Sequence, residues 1–187
     1  MSTVAAQPFS GTYRADPVHS SFSFAVRHSG VYRYRGSLSD VWASLHADGA
    51  ATTLEGSARV DSISIVEPPE FRAHVLGPDF FDAERHPEIT FRSTAVRLAG
   101  DGRAEVDGEL HIRGVTRPVA ATGRYEAPRP GAFGGEVAGL QLQTSFDRRE
   151  FGFEWQMELP GGGDTLGWDV EFDIELRLER DDERGEG

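Results

Sequence analysis

The sequence predicts an all-β protein, a single domain of antiparallel strands, and three observations carry that expectation. Apolar and polar residues alternate along most of the chain, Asp48-Gly49 and Asp101-Gly102 supply hairpin signals, and helical spacing is confined to one stretch. Successive strand side chains point to opposite faces, so each alternating run marks a strand with one apolar and one solvated side. A length of 187 residues suits one core of this kind.

The elements follow in order. Residues 1–11 carry no such pattern and are expected to be a flexible N-terminus, ahead of a single domain over 12–180. "GTYRAD" is a short strand, and "HSSFSFAVRH" sets Phe22, Phe24 and Val26 on one face. "YRYRGSLSDVWASLHA" reads as one strand with Tyr32, Tyr34 and Leu38 opposite Arg33, Arg35 and Ser37. "TLEGSARVDSI" follows, then a non-alternating stretch from Glu67 to Ile89, where Pro68-Pro69 before Phe71, Val75 and Leu76 suggests a short helix. "EITFRSTAVRLAG", "RAEVDGELHIRG", "VTRPVAATGRYEA" and "EVAGLQLQTSFD" resume the alternation, with a short strand expected at "WQMEL". The last strand, "WDVEFDIELRLER", alternates from Trp168 to Arg180, and the charged run 181–187 is expected to be a disordered tail.

Many strands with one apolar face each leave two architectures, a two-sheet sandwich or a closed barrel. The apolar faces mix Phe22, Phe24, Phe91, Trp168 and Phe172 with Gly36, Gly56, Ala58, Ala95, Gly108 and Gly139. Small residues among large ones favour a cavity, whereas strand glycines also mark bends, so the pattern leaves a filled core and a hollow one both open.

Composition narrows the functional classes. Nineteen basic residues, all arginine, face thirty-one acidic ones, giving a net charge of -12 and no positive footprint for nucleic acid. Cysteine is absent, which removes disulfides, thiolate chemistry and Cys-based zinc sites. The first sixteen residues lack a basic, then apolar, secretory pattern, and no segment reaches the eighteen or so apolar residues of a membrane span. A cytoplasmic protein without stable membrane insertion is the resulting expectation.

Catalytic motifs are missing: the sequence has no HExxH, GxSxG, GxGxxG or P-loop, and "PGGGD" lacks the lysine that phosphate binding requires. No metal or organic cofactor is expected. "TSFDRREFGFEW" is the one dense constellation, with Arg148 and its charged neighbours between Phe146 and Phe151. It reads either as a charged rim beside an apolar mouth or as an ion-paired turn.

Five segments in order carry a family resemblance: "YRADPVHSSFSFAVRHSGVYRYRGSLSD", "DFFDAERHPEITFRST", "VDGELHIRGVTRPV", "FDRREFGFEW" and "DVEFDIELRLE". Together they make the sequence resemble the YceI-like family of polyisoprenoid-binding proteins from about Thr12 to Glu179. The resemblance implies an eight-stranded antiparallel lipocalin-like β-barrel with short helices near the opening. It also implies non-catalytic binding, storage or transport of a polyisoprenoid or similar long-chain apolar lipid. The implied pocket residues are Phe22, Phe24, Val26, Phe80, Phe81, Phe91, Leu110, Trp155, Val170, Phe172 and Ile174, with His19 and Arg148 as headgroup or rim candidates. One departure is "HSG" after the first long strand, where family members read "HL". The alternatives are a lipid-modifying enzyme or stress-response factor using His19 or Arg148, or a filled barrel acting as a protein-interaction module; a homodimer is left open.

Overall fold

The alternating C-terminal run becomes β10 (Leu166–Arg180), and the other strands are arranged around it. The computed structural model describes residues 7–49 and 51–181. β1 (Gly11–Ala15) and β2 (Ser21–His28) lie end to end along one edge of β10, and β3 (Tyr32–Leu38) and β4 (Val41–Ala47) pair with β2 and β1 respectively. These four segments therefore act as two bent strands. β5 (Thr52–Arg59), β6 (Glu88–Leu98), β7 (Arg103–Ile112), β8 (Val115–Pro130) and β9 (Glu136–Asp147) then pair antiparallel in sequence order up to β10. The pairing of Tyr13 with Arg180 joins β1 to β10 and closes an eight-stranded antiparallel barrel.

Both interruptions have local causes. After β1, Pro17 lacks a backbone donor and the Asp16 carboxylate instead accepts from the Val18 N–H at 2.9 Å, so the ladder stops. The expected single strand from Tyr32 to Ala47 breaks at Ser39-Asp40, where the Ser39 N–H turns away to the Ser62 hydroxyl at 3.1 Å. The short strand expected at "WQMEL" is reduced to one isolated bridge, Glu158 to Asp164. The helix does form, as α1 (Pro69–Leu76), with proline in its first turn where a missing N–H costs nothing.

β5 ends at Arg59, below the level that β2 and β3 reach, and residues 60–87 complete the wall on that side. The Ser64 N–H donates to the Ser37 carbonyl at 2.8 Å, fastening this segment to the free edge of β3. α1 follows directly and covers the upper end.

The lower end is packed solid. Phe9, Tyr13, Leu45, Leu140 and Leu178 are essentially inaccessible, and the Phe9 ring meets Tyr13 edge-on at 5.2 Å and Tyr125 at 6.0 Å. The folded domain therefore begins before residue 12: Phe9, within the segment expected to be flexible, is 2% exposed and plugs the barrel. Tyr13 donates its hydroxyl to the Glu136 carboxylate; burial first, then that bond and the adjacent negative charge, push its pKa up to about 12. Asp181 continues the ladder, its N–H donating to the Thr12 carbonyl at 2.8 Å. Residues 1–6 of the expected flexible N-terminus and 182–187 of the expected tail lie outside the described residues.

Charged residues occupy the outer faces. Arg97, for example, bridges Glu105 at 3.1 Å and Asp107 at 2.8 Å across β6 and β7, all well exposed. Two inward glycines have a different role from the one their size suggested. The Phe24 ring lies over Gly36 and the Phe91 ring over Gly108, with a hypothetical Cβ at each glycine only 2.3 and 2.4 Å from the ring carbon above it. The space these glycines release is filled by aromatic rings from neighbouring strands rather than left empty.

Candidate ligand-binding cavity

Alternation on β10 places Val170, Phe172 and Ile174 inside the barrel at successive depths. An upper cavity of about 280 Å³ lies at the end covered by α1, and a lower one of about 80 Å³ lies beneath it. The upper cavity is walled by Phe24 and Val26 of β2, Tyr34 and Leu38 of β3, and Val170 and Phe172 of β10. Its cover is aromatic: His74 of α1 packs edge-on to Phe80 at 5.1 Å and to Trp155 at 5.3 Å, while Phe81 meets Phe153 at 5.1 Å. Such contacts add about 0.5–1.5 kcal/mol per pair beyond burial, so the cover is a cohesive layer.

The expected pocket residues divide between the two spaces. Phe24, Val26, Phe80, Phe81, Trp155 and Val170 line the upper cavity, Phe22, Phe91, Leu110 and Ile174 line the lower, and Phe172 lines both. Others were not singled out from the sequence: Tyr32, Tyr34, Ile63, Ile65, Phe71, His74 and Phe146 also line the upper cavity. Tyr32 and Tyr34 shared an apolar face with Leu38, and Phe71, His74 and Val75 follow the i, i+3, i+4 spacing of one helix face, so the signal was present.

Arg148 borders the upper cavity but faces away from solvent, at 3% exposure. It sits in a short 3-10 turn, Arg148–Phe151, where its Nη1 donates to the Phe153 carbonyl at 2.6 Å, Nε to Gly167 at 2.8 Å and Nη2 to Leu166 at 3.2 Å. Its guanidinium also lies 4.2 Å from the centre of the Trp168 ring. Burial pushes its pKa below the ordinary arginine value, yet the group stays charged because a guanidinium is not deprotonated in proteins. The side chain therefore satisfies carbonyls that the irregular entry to β10, between Leu166 and Val170, withholds from the ladder.

Two other arginines do similar work. Arg72 of α1 donates to the carbonyls of Asp61, Ile63 and Ile65 at 2.6, 3.2 and 2.8 Å, and Arg113 donates to those of Pro78 and Gly152. The segments at 61–65, 78, 152–153 and 166–167 are thus tied through arginine to backbone oxygen.

His19 stands apart from this site. It is exposed on the outer wall, with Nδ1 2.5 Å from the Asp16 carboxylate, which also receives Arg177 at 2.8 Å. The expected rim position is not where the chain puts it, because the break after β1 leaves residues 16–20 beside the lower half of β10. The His19 hydrogen bond, the Val18 N–H and the Arg177 charge hold the Asp16 carboxyl below the usual carboxylate range. Among the described residues no group of three His, Asp or Glu side chains is placed to hold a metal ion, and no helix is long and apolar enough to cross a membrane.

Comparison with known proteins agrees with this architecture. A UPF0312 protein of Pseudomonas putida strain W619 is 28% identical over 155 residues, 80% of each chain. The crystal structure of Burkholderia cenocepacia BcnA superposes with a TM-score of 0.71 at 21% identity, covering 87% of this chain and 98% of that one. A polyisoprenoid-binding domain from Saccharophagus degradans, implicated in plant cell wall breakdown, superposes at 0.61 with 13% identity, covering 90% and 98%. The family model described as the YceI-like domain matches residues 13–178, nearly the whole barrel, and the chain belongs to that family.

Proposed function

We propose that this protein binds the apolar chain of a polyisoprenoid or similar long-chain lipid inside the barrel, for storage or transport and without turning it over. The observation that carries the reading is the upper cavity of about 280 Å³, whose wall is almost wholly aliphatic and aromatic. Apolar pockets of this size serve small-molecule ligands, and each buried methylene contributes about 0.8 kcal/mol. The polyisoprenoid-binding description of the Saccharophagus domain points the same way.

Two imidazoles and one guanidinium line the cavity, and each is already engaged: His28 with the Ser29 hydroxyl at 3.0 Å, His74 between Phe80 and Trp155, and Arg148 with its carbonyls. That engagement supports retention of a ligand over chemistry on it. The upper cavity also favours ligand binding over a filled barrel used only as a docking module.

The test is extraction of the natively purified protein with organic solvent, followed by mass spectrometry and competition against a fluorescent apolar probe. A stoichiometric lipid, or probe displacement by prenyl alcohols, is the expected result. A ligand-free protein whose probe no prenyl or acyl compound displaces would overturn the reading.

A further inference from the structure

The two cavities are stacked, and of all their lining residues they share two, Ile89 and Phe172. Phe172 is wedged edge-on between Phe22, 5.1 Å away and lining only the lower space, and Phe146, 5.0 Å away and lining only the upper. Rings packed edge-on from both sides hold Phe172 across the barrel, and at 7% exposure it has little room to turn.

We propose that Phe172, backed by Ile89, is a stop that sets how much of an apolar chain the barrel takes in. The proposal rests on the lipid-binding reading above and sharpens its ligand class. An apolar cavity of about 150 Å³ accommodates one benzene, about 25 Å³ per carbon. On that scale the upper space of 280 Å³ holds about eleven carbons, close to two isoprene units. Opening it into the 80 Å³ below would admit about three more. The buried part of the ligand is therefore a chain of medium length, and any further length remains outside the opening.

A series of unbranched alcohols from six to sixteen carbons, delivered from cyclodextrin and measured by probe displacement, tests the stop without involving a charged headgroup. In the parent protein affinity should rise up to roughly fourfold per carbon, then level off near eleven. In Phe172→Ala the rise should continue for at least about three more carbons, since the space below is joined by the space the ring itself vacates. Phe172→Leu, which keeps an apolar wall if the alanine variant folds poorly, should shift the break in the same direction by a smaller step. An even climb through sixteen carbons in the parent, or a break unmoved in both variants, overturns the stop while leaving lipid binding in place. No binding of any alcohol by the parent overturns both readings together.

Discussion

Replacing Arg148 with alanine should destabilise the protein by about 3–5 kcal/mol, because a buried side chain leaves the Phe153 and Gly167 oxygens behind, while the Leu166 oxygen keeps the Gln156 Nε2–H at 2.6 Å. Hydrogen bonds from a charged donor contribute about 1.5–3 kcal/mol each. Water can reach the Gly167 carbonyl after truncation, since that residue is only half-buried, and removal of the cation relieves its own desolvation. Phe153 is 7% exposed, so its carbonyl is the acceptor that stays unsatisfied. For a domain of this size the loss corresponds to a fall of about 2–4 °C in Tm per kcal/mol, so the expected change is about 6–20 °C. Arg148→Lys should recover little, since an ammonium on a flexible stem does not span three carbonyls set in one plane of donors. Urea titration with an unchanged slope gives the free energy directly. A loss below about 1 kcal/mol, or a lysine variant as stable as the parent, would refute the assignment of Arg148 to the frame; unchanged stability with weakened binding would instead mark it as a headgroup contact.

Three further outcomes follow from the same structure. Gly108→Ala should cost about 1–3 kcal/mol by overpacking, as its Cβ would meet the Phe91 ring at 2.4 Å and the Arg92 carbonyl at 2.6 Å; a melting curve matching the parent would contradict this. Phe24→Asp places a carboxylate in the upper cavity wall and should abolish retention of co-purified lipid, which mass spectrometry of the two proteins would show. Tyr13 binds its proton more tightly folded than unfolded, so stability should fall as pH rises from about 10 to 12, by about 2–3 kcal/mol. Tyr13→Phe should remove that slope, as chemical denaturation at pH 9 and pH 11.5 would reveal.

What the sequence disclosed, and what it hid, divides along physical lines. β9 from Glu136 to Asp147 and the inward face of β10 were readable because a period of two follows from strand geometry alone. Barrel closure depends on pairing between Tyr13 and Arg180, residues far apart in the chain, and alternation is silent about long-range partners. Gly36 and Gly108 suggested space, but which ring occupies it is fixed by cross-strand register, which pairs Phe24 directly with Gly36 and sets Phe91, opposite Leu110, diagonal to Gly108. Phe9 was missed because a lone aromatic before the first strand has no period to betray its burial. For Arg148 the sequence showed a charge between aromatics, whereas its acceptors are main-chain oxygens, which leave no mark in composition.

The arginines around the opening confer a distinct tolerance of acid. Arg72, Arg113 and Arg148 donate to peptide oxygens, and a peptide oxygen, unlike a carboxylate, is not lost as an acceptor on acidification. Asp16, Asp61 and Asp101 on the outer wall, and Asp147, which caps the turn carrying Arg148, hold their protons more weakly than free carboxylates because cations or N–H groups face them. Their contribution is present above the ordinary carboxylate range and is lost as pH falls through their lowered pKa values. On acidification these carboxylate pairs, the Asp147 cap included, should therefore let go first, while the arginine bonds to peptide oxygen around the opening persist.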